Sequence, residues 1–398
     1  MKIDLKHLTA VPVFVMSALT VHTYLSFAAV EGMEMLSYLT LGISLLAFVI
    51  MLMLTLRKTR LTKFGIAVSL FCFLLLAFTI INSTDIKNCV YMVIDCLTLI
   101  MLFGYYGDRT RMLITTAAIA TSICVYIGIL HMMKDPSWIV FTEKANHGYL
   151  LGGNYNSMGC RMMCAILTNL ICLRYSKRWI LNIVPLILVS IVALGLLASM
   201  TSLSCILAFL MLSLIPSAKI KKITLAGIVA IFVLFQTFIV FNGEGIENND
   251  AARYVVEDVL GKDITFTQRT PKWIAAGKAF AKSPIIGYGY VDQDWYLSNL
   301  VSEAVGPHNF CFFLLLNGGL VLFILFFVTL FMSCKKIIHY NEYAAIAIMC
   351  AVTFFFIMQL MEYYPLYFNF YLLLLMYYYP QIRIQKNKCK QPATLSAS

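Results

Sequence analysis

Again and again along this chain, an apolar run of about 17 to 26 residues, the length a bilayer demands, gives way to a short cluster of lysine and arginine. Twelve such runs fall at roughly 8–29, 35–56, 64–82, 88–105, 112–131, 149–173, 180–198, 200–215, 223–241, 308–333, 343–360 and 364–380. Inside a bilayer every backbone N–H and C=O must be satisfied internally, so runs of this length have to be helices. Charged residues make up 12% of the chain and hydrophobic ones 61%, whereas a soluble domain carries roughly 25% charged residues. The pattern predicts an all-α polytopic membrane protein of about twelve transmembrane helices, and the length of 398 residues does not imply a string of soluble domains. The net charge of +11 would suggest nucleic acid in a soluble protein. Here the basic residues sit in clusters between spans, so no nucleic-acid partner is expected.

The clusters also orient the chain. Taking alternate loops, one side holds 20 of the 30 lysines and arginines, among them Arg57, Lys58, Arg174, Arg178, Lys219, Lys222, Lys335, Lys336 and the tail from Arg383 to Lys390. The other side holds 9, six of them in one long loop, and Arg161 lies within a span. The positive-inside rule then makes both termini cytoplasmic and the long loop external. Four regions follow: a membrane domain over 1–241, an extracytoplasmic loop over 242–306, a second membrane domain over 307–380 and a basic cytoplasmic tail over 381–398. Lys2 and Lys6 ahead of the first apolar run give it the look of a signal peptide, but retaining it keeps the charge alternation, so an uncleaved span is expected. Of the twelve cysteines only Cys389 lies away from the spans, and neither a disulfide framework nor a zinc spacing is visible. The two halves show no internal repeat, which speaks against a repeat-built transporter.

Two charges sit within spans. Asp95 and Arg161 each cost roughly 2.5–3.5 kcal/mol if unpaired at the bilayer centre. Either they pair with each other, or Arg161 forms the floor of an outward cavity and faces an anionic ligand. Just ahead of Arg161, Gly152-Gly153-Asn154-Tyr155-Asn156 suits an unwound entry lining a polar cavity, or a simple cap.

The long loop divides by charge. Residues 244–263 hold six acids against Arg253 and Lys262, whereas 264–291 hold Arg269, Lys272, Lys278 and Lys282 and no acid. Thr270-Pro271 reads as a helix start and Ser283-Pro284 as its end, with Trp273, Gly277 and Phe280 on one face and Lys278 and Lys282 on another. Such a helix lies on or near the membrane surface. Its cations either attract lipid headgroups or, in Arg269, supply a bidentate fork for phosphate. The run from Ile285 to Tyr290 lacks a nucleotide-loop spacing and predicts a tight turn held by aromatic stacking. Tyr288, Tyr290, Trp295 and Tyr296 are either interfacial aromatics or a sugar platform. His308, the one histidine in or beside the loop, stands where the chain re-enters the bilayer, between Pro307 and Asn309 and near Glu303. An imidazole at a cavity mouth suits proton transfer; a structural role is the alternative.

In order, Arg269, Trp273, Ser283-Pro284, Gly287, Gly289, His308-Asn309 and Gly318-Gly319 resemble the O-antigen ligase/polymerase superfamily of bacterial polysaccharide assembly. The stretch from Gly152 to Gly159 also resembles that family's Asn-X-Asn entry to an earlier span. The motif resemblance covers about 70 residues, the remainder agreeing in topology. One departure is Ser202-Leu203, where the family often has Ser-Arg, so the second phosphate-binding cation falls to Arg161 or a loop lysine.

The resemblance implies a GT-C-like, metal-independent glycosyltransferase needing no cofactor and working on the outer face of a bacterial cytoplasmic membrane. Its partners would be undecaprenyl-pyrophosphate-linked glycans and membrane lipids, with a chain-length regulator and a flippase alongside. Arg269 would stabilise charge on the leaving pyrophosphate, a role worth roughly 2–4 kcal/mol. His308 would orient or deprotonate the acceptor hydroxyl, or bind phosphate. Asn309, Arg161, Asn154, Asn156, Lys272, Lys278, Trp273, Tyr288 and Glu303 would contact substrate. The expected reaction polymerises repeat units into O-antigen or capsular polysaccharide. Ligation of finished glycan to a lipid core or protein is the alternative, and a flippase the rival of another class.

Overall fold

The computed structural model describes residues 9–25, 34–58, 61–139, 148–242, 268–301 and 306–388. Among these, every regular element is helical, and the sole strand-like pairing is one bridge between Tyr149 and Gly153. Helices fill all twelve expected segments: α1 (Ala10–Tyr24), α2 (Glu34–Lys58), α3 (Lys63–Asn82), α4 (Ile86–Tyr106), α5 (Thr110–Met132), α6 (Met158–Cys172), α7 (Ile180–Leu196), α8 (Met200–Leu214), α9 (Ala218–Phe235), α12 (Phe310–Ile337), α13 (Tyr343–Met358) and α14 (Leu366–Tyr377). The outer loop contributes α10 (Arg269–Lys282) and α11 (Gln293–Asn299), and the tail α15 (Tyr379–Lys388). Six stretches are long and apolar enough to cross a membrane, and five further apolar helices are shorter. That is the make-up of a polytopic membrane protein. Two of the expected spans lie in a single 47-residue stretch, Ile86–Met132, in which a 3-10 turn at Gly107–Arg109 joins α4 to α5.

Helix α6 is buried along all its length, Arg161 and Asn169 included, and α14 from Leu366 to Met376. α5 and α13 flank the first; α4 and α12 flank the second. The outer helices leave large side chains such as Leu56, Leu181 and Ile231 exposed where lipid would lie. Polar glue holds the interior. Asn169 of α6 donates to Ser122 of α5 at 2.8 Å and accepts from Asn182 of α7 at 2.7 Å. Asp95 does not pair with Arg161. Its carboxyl group accepts from Ser44 at 2.9 Å and faces His22 at 3.5 Å, so α1, α2 and α4 meet at this buried polar contact.

The basic half of the outer loop packs down onto the membrane helices. α10 buries Thr270, Trp273, Ala276 and Ala279 against α12, and leaves Lys278 and Lys282 exposed. It begins at Arg269, one residue before the expected Thr270 cap. Thr270 is buried, and Pro271 sits within the first turn, where its missing N–H costs nothing. The acidic half of the loop, 244–263, and Glu303 lie outside the described residues.

The turn after α10 is held chiefly by backbone bonds, and only secondarily by aromatic contact. α12 is broken at Gly319, whose φ of 57° only glycine adopts readily, and a Cβ there would lie 2.2 Å from Ile285 O. The groups freed by the break are taken up by the turn. Tyr288 N donates to Leu316 O at 2.7 Å, Leu320 N to Pro284 O at 2.8 Å and Val321 N to Ile285 O at 3.2 Å. The other edge of the turn grips the α3–α4 corner, through Asp85 N to Tyr290 O at 3.0 Å and Tyr290 N to Thr79 Oγ1 at 2.8 Å.

Candidate functional site

Glu362 lies in the short connection between α13 and α14, and that connection is tied to the start of α12. Phe310 N donates to Gln359 O at 3.0 Å, and Asn309 Nδ2 to Leu360 O at 3.2 Å. Asn309 is the N-cap of α12, accepting from Phe312 N at 3.1 Å, and its amide also pairs with Gln236 below α9. His308, caught between Pro307 and this cap, adopts φ 46°. A left-handed non-glycine residue costs about 1–3 kcal/mol and persists where its surroundings over-determine it.

The result is a three-way junction. Glu362 Oε2 lies 3.1 Å from His308 Nδ1, while Oε1 accepts from Arg269 Nη2 at 2.9 Å and from Asn156 Nδ2 at 2.9 Å. Trp273, one turn after Arg269, donates its indole N–H to His308 O at 3.4 Å and so fixes α10 against the histidine. All three charged side chains are largely buried, at 14–22% exposure. Burial by itself would raise the Glu362 pKa, but the hydrogen bond and charge of His308, with those of Arg269, hold it below the ordinary carboxylate value. With Glu362 ionised, Nδ1 of His308 donates to it, and in the neutral ring Nε2 then carries the lone pair. His308 Nε2 and Arg269 Nε are both buried without a hydrogen-bond partner among the described residues, the condition of groups awaiting a ligand or water.

Arg161 lies five residues along the chain from Asn156 of this junction. It donates to Ser157 Oγ at 2.7 Å and lies over the rings of Tyr24 and Phe368, 5.9 and 5.7 Å from their centroids. Gly153, at φ 71°, makes room for it, since a Cβ there would stand 2.2 Å from Arg161 Nη1. Among the described residues no carboxylate neutralises Arg161.

The structure thus brings His308, Arg269, Asn156 and Trp273 together and keeps other candidates apart. Asn154 is exposed, and its side chain accepts from Ser157 N at 2.8 Å in a local turn ahead of α6. Asn309 is spent on its cap and on Gln236. Tyr288 donates to Ala279 O at 2.7 Å and packs against Trp295, and Tyr296 is buried, so they brace α10. Lys272 is half-buried on the first turn of α10. Lys278 lines an apolar groove of about 540 Å³ between α10 and α12, together with Trp273, Phe280, Phe312 and Phe323. Glu362 was not anticipated. Its signal is faint but present: it is the one acid between the last two spans, on the same side as His308 by alternation.

Residues 151–327 match the family model described as O-antigen ligase. The matched stretch contains Asn156, Arg161, Arg269, Trp273, His308 and the glycine pair of α12, and ends before Glu362. No curated protein and no solved structure matches the chain.

Proposed function

We propose, from the match of residues 151–327 to the family model described as O-antigen ligase, that the chain transfers glycan from undecaprenyl pyrophosphate onto a sugar hydroxyl of another lipid-linked repeat unit. The observation that carries this reading is the single carboxylate of Glu362 joining Arg269 and His308. A hydroxyl oxygen of the acceptor attacks the anomeric carbon of the donor as the bond from that carbon to the pyrophosphate oxygen breaks. The hydroxyl proton passes to His308 Nε2, and Glu362 at Nδ1 stabilises the imidazolium that forms. The leaving pyrophosphate keeps the bonding electrons, and its charge is met by the guanidinium of Arg269, with Arg161 as the second cation. The groove between α10 and α12 offers apolar walls to the lipid segment next to the pyrophosphate.

Glu362→Gln tests the assignment, since it keeps the shape and an oxygen for Asn156 while removing the charge. Purified variant and parent would be given lipid-linked repeat units and the product length read on a gel. The variant should fall about 10²-fold or more in rate. Parent-like polymer from it would sink the mechanism. Ligation is the second reading, favoured by the family model's own description. The same assay separates the two: a ladder of lengths marks a polymerase, and a single transfer to an added lipid-core acceptor marks a ligase.

A further inference from the structure

The flank formed by α9 is built unlike the rest of the bundle. Along α9 and the π-helical turn that ends it, only Lys221, Leu225, Gln236 and Val240 are buried. Between α9 and the pair α12–α13 runs an apolar groove of about 430 Å³, walled by residues such as Leu225, Val229, Phe232, Phe327 and Phe356. Its two ends differ. At one end stands Gln236, hydrogen-bonded to Asn309. At the other, Lys222 opens into an adjoining depression lined also by Lys219, Ala226 and Asn341. From Lys222 to Gln236 the helix rises about 21 Å, more than the roughly 15 Å of one bilayer leaflet, so an acyl chain fits the groove lengthwise.

The lysine end suits an anion. Lys222 Nζ donates to Ile338 O at 2.6 Å and Asn341 Oδ1 at 2.7 Å, which fixes an ammonium with three protons at the mouth. Lys219 is exposed beside it, and the N-terminus of α9 adds the positive end of its dipole. Glu342, next to Asn341 in the chain, is already engaged by Arg174, Arg383 and Tyr379. We propose that this groove binds an anionic phospholipid, with an acyl chain along α9 and the phosphate at Lys219 and Lys222. The glycan donor is not the occupant argued for, because its pyrophosphate belongs beside Arg269, at the opposite end of the groove. An acyl chain reaching that far end would press on Gln236, whose amide holds the cap that follows His308.

The test uses the full-length protein in phosphatidylcholine nanodiscs with a phosphatidylglycerol probe carrying a photoactivatable acyl chain. Cross-linked peptides are mapped by mass spectrometry. Labelling is expected on α9, α12 and α13, displaced by unlabelled phosphatidylglycerol and not by added phosphatidylcholine. Lys219→Gln, at an exposed position, should weaken labelling about fivefold. Val229→Trp, which fills the groove and keeps both lysines, should abolish it while the protein still elutes as a single peak. Equal displacement by phosphatidylcholine, or full labelling of Lys219→Gln, would overturn the proposal. So would labelling that undecaprenyl phosphate displaces and phosphatidylglycerol does not.

Discussion

A carboxylate shared by a guanidinium and an imidazole must divide its attention once a phosphate arrives. Before that, Glu362 neutralises Arg269 at 2.9 Å and holds the proton of His308 on Nδ1. In the proposed transfer, a pyrophosphate competing for Arg269 would leave Glu362 to the histidine, where it could better stabilise a second proton. A planar fork is needed to serve both anions, and lysine cannot replace it. Arg269→Lys should therefore lose about 10²-fold in transfer rate, whereas Lys278→Ala, at the exposed rim of the groove, and Lys282→Ala, exposed at the end of α10, should keep most activity. Parent-like polymer from Arg269→Lys, with failure of the two lysine variants, would return the basic helix to a lipid-surface role. Acid stability offers a separate check. Because the folded pKa of Glu362 lies below its unfolded value, its ion pairs contribute fully above the ordinary carboxylate range and are lost as pH falls through the folded value. Melting temperatures taken down an acid series should drop more steeply for the parent than for Glu362→Gln; parallel curves would contradict the pairing. His308 and Arg269 were legible because each stands in a short motif. Glu362 was not, because it meets them across 54 and 93 positions of sequence and belongs to no local pattern.

At the scale of elements, the all-helical, polytopic character was readable from length and composition alone, since hydrocarbon leaves a long apolar segment no conformation but helix. The break in α12 was only half readable. Gly318-Gly319 marked a weak point, but the segment that fills it, from Pro284 to Tyr288, is recruited by backbone groups that carry no side-chain signature. The same reason explains why aromatic stacking was expected to hold that turn. Gly319→Ala should cost about 2–4 kcal/mol, from left-handed strain plus disturbed hydrogen bonds. Gly104→Ala in α4, where a Cβ meets nothing within 4 Å, should be neutral or stabilising by up to about 1 kcal/mol. Thermal melts in one detergent compare the two. Equal melting temperatures would mean that the splice contributes nothing.

For the whole molecule, the division of 20 basic residues against 9 sets an orientation that can be tested directly. In a cysteine-free background, Ser298→Cys on α11 should react with an impermeant maleimide in intact cells, and Arg178→Cys ahead of α7 only after lysis. Reaction of both in intact cells would remove the case for an outer-face site. The closure of the α12 break also bears on the class of the molecule. A helix interrupted at membrane depth makes two half-helices whose facing ends present a positive N-terminus and a negative C-terminus. Transporters leave such ends open, so that substrate or coupling ion completes them and leaves again. Here Leu320 N, Val321 N and Leu316 O are completed by the protein's own chain. An end closed by hydrogen bonds from its own chain has no cargo to exchange, so the break in α12 acts as a fixed joint carrying the loop, and the flippase reading loses the feature it would most need.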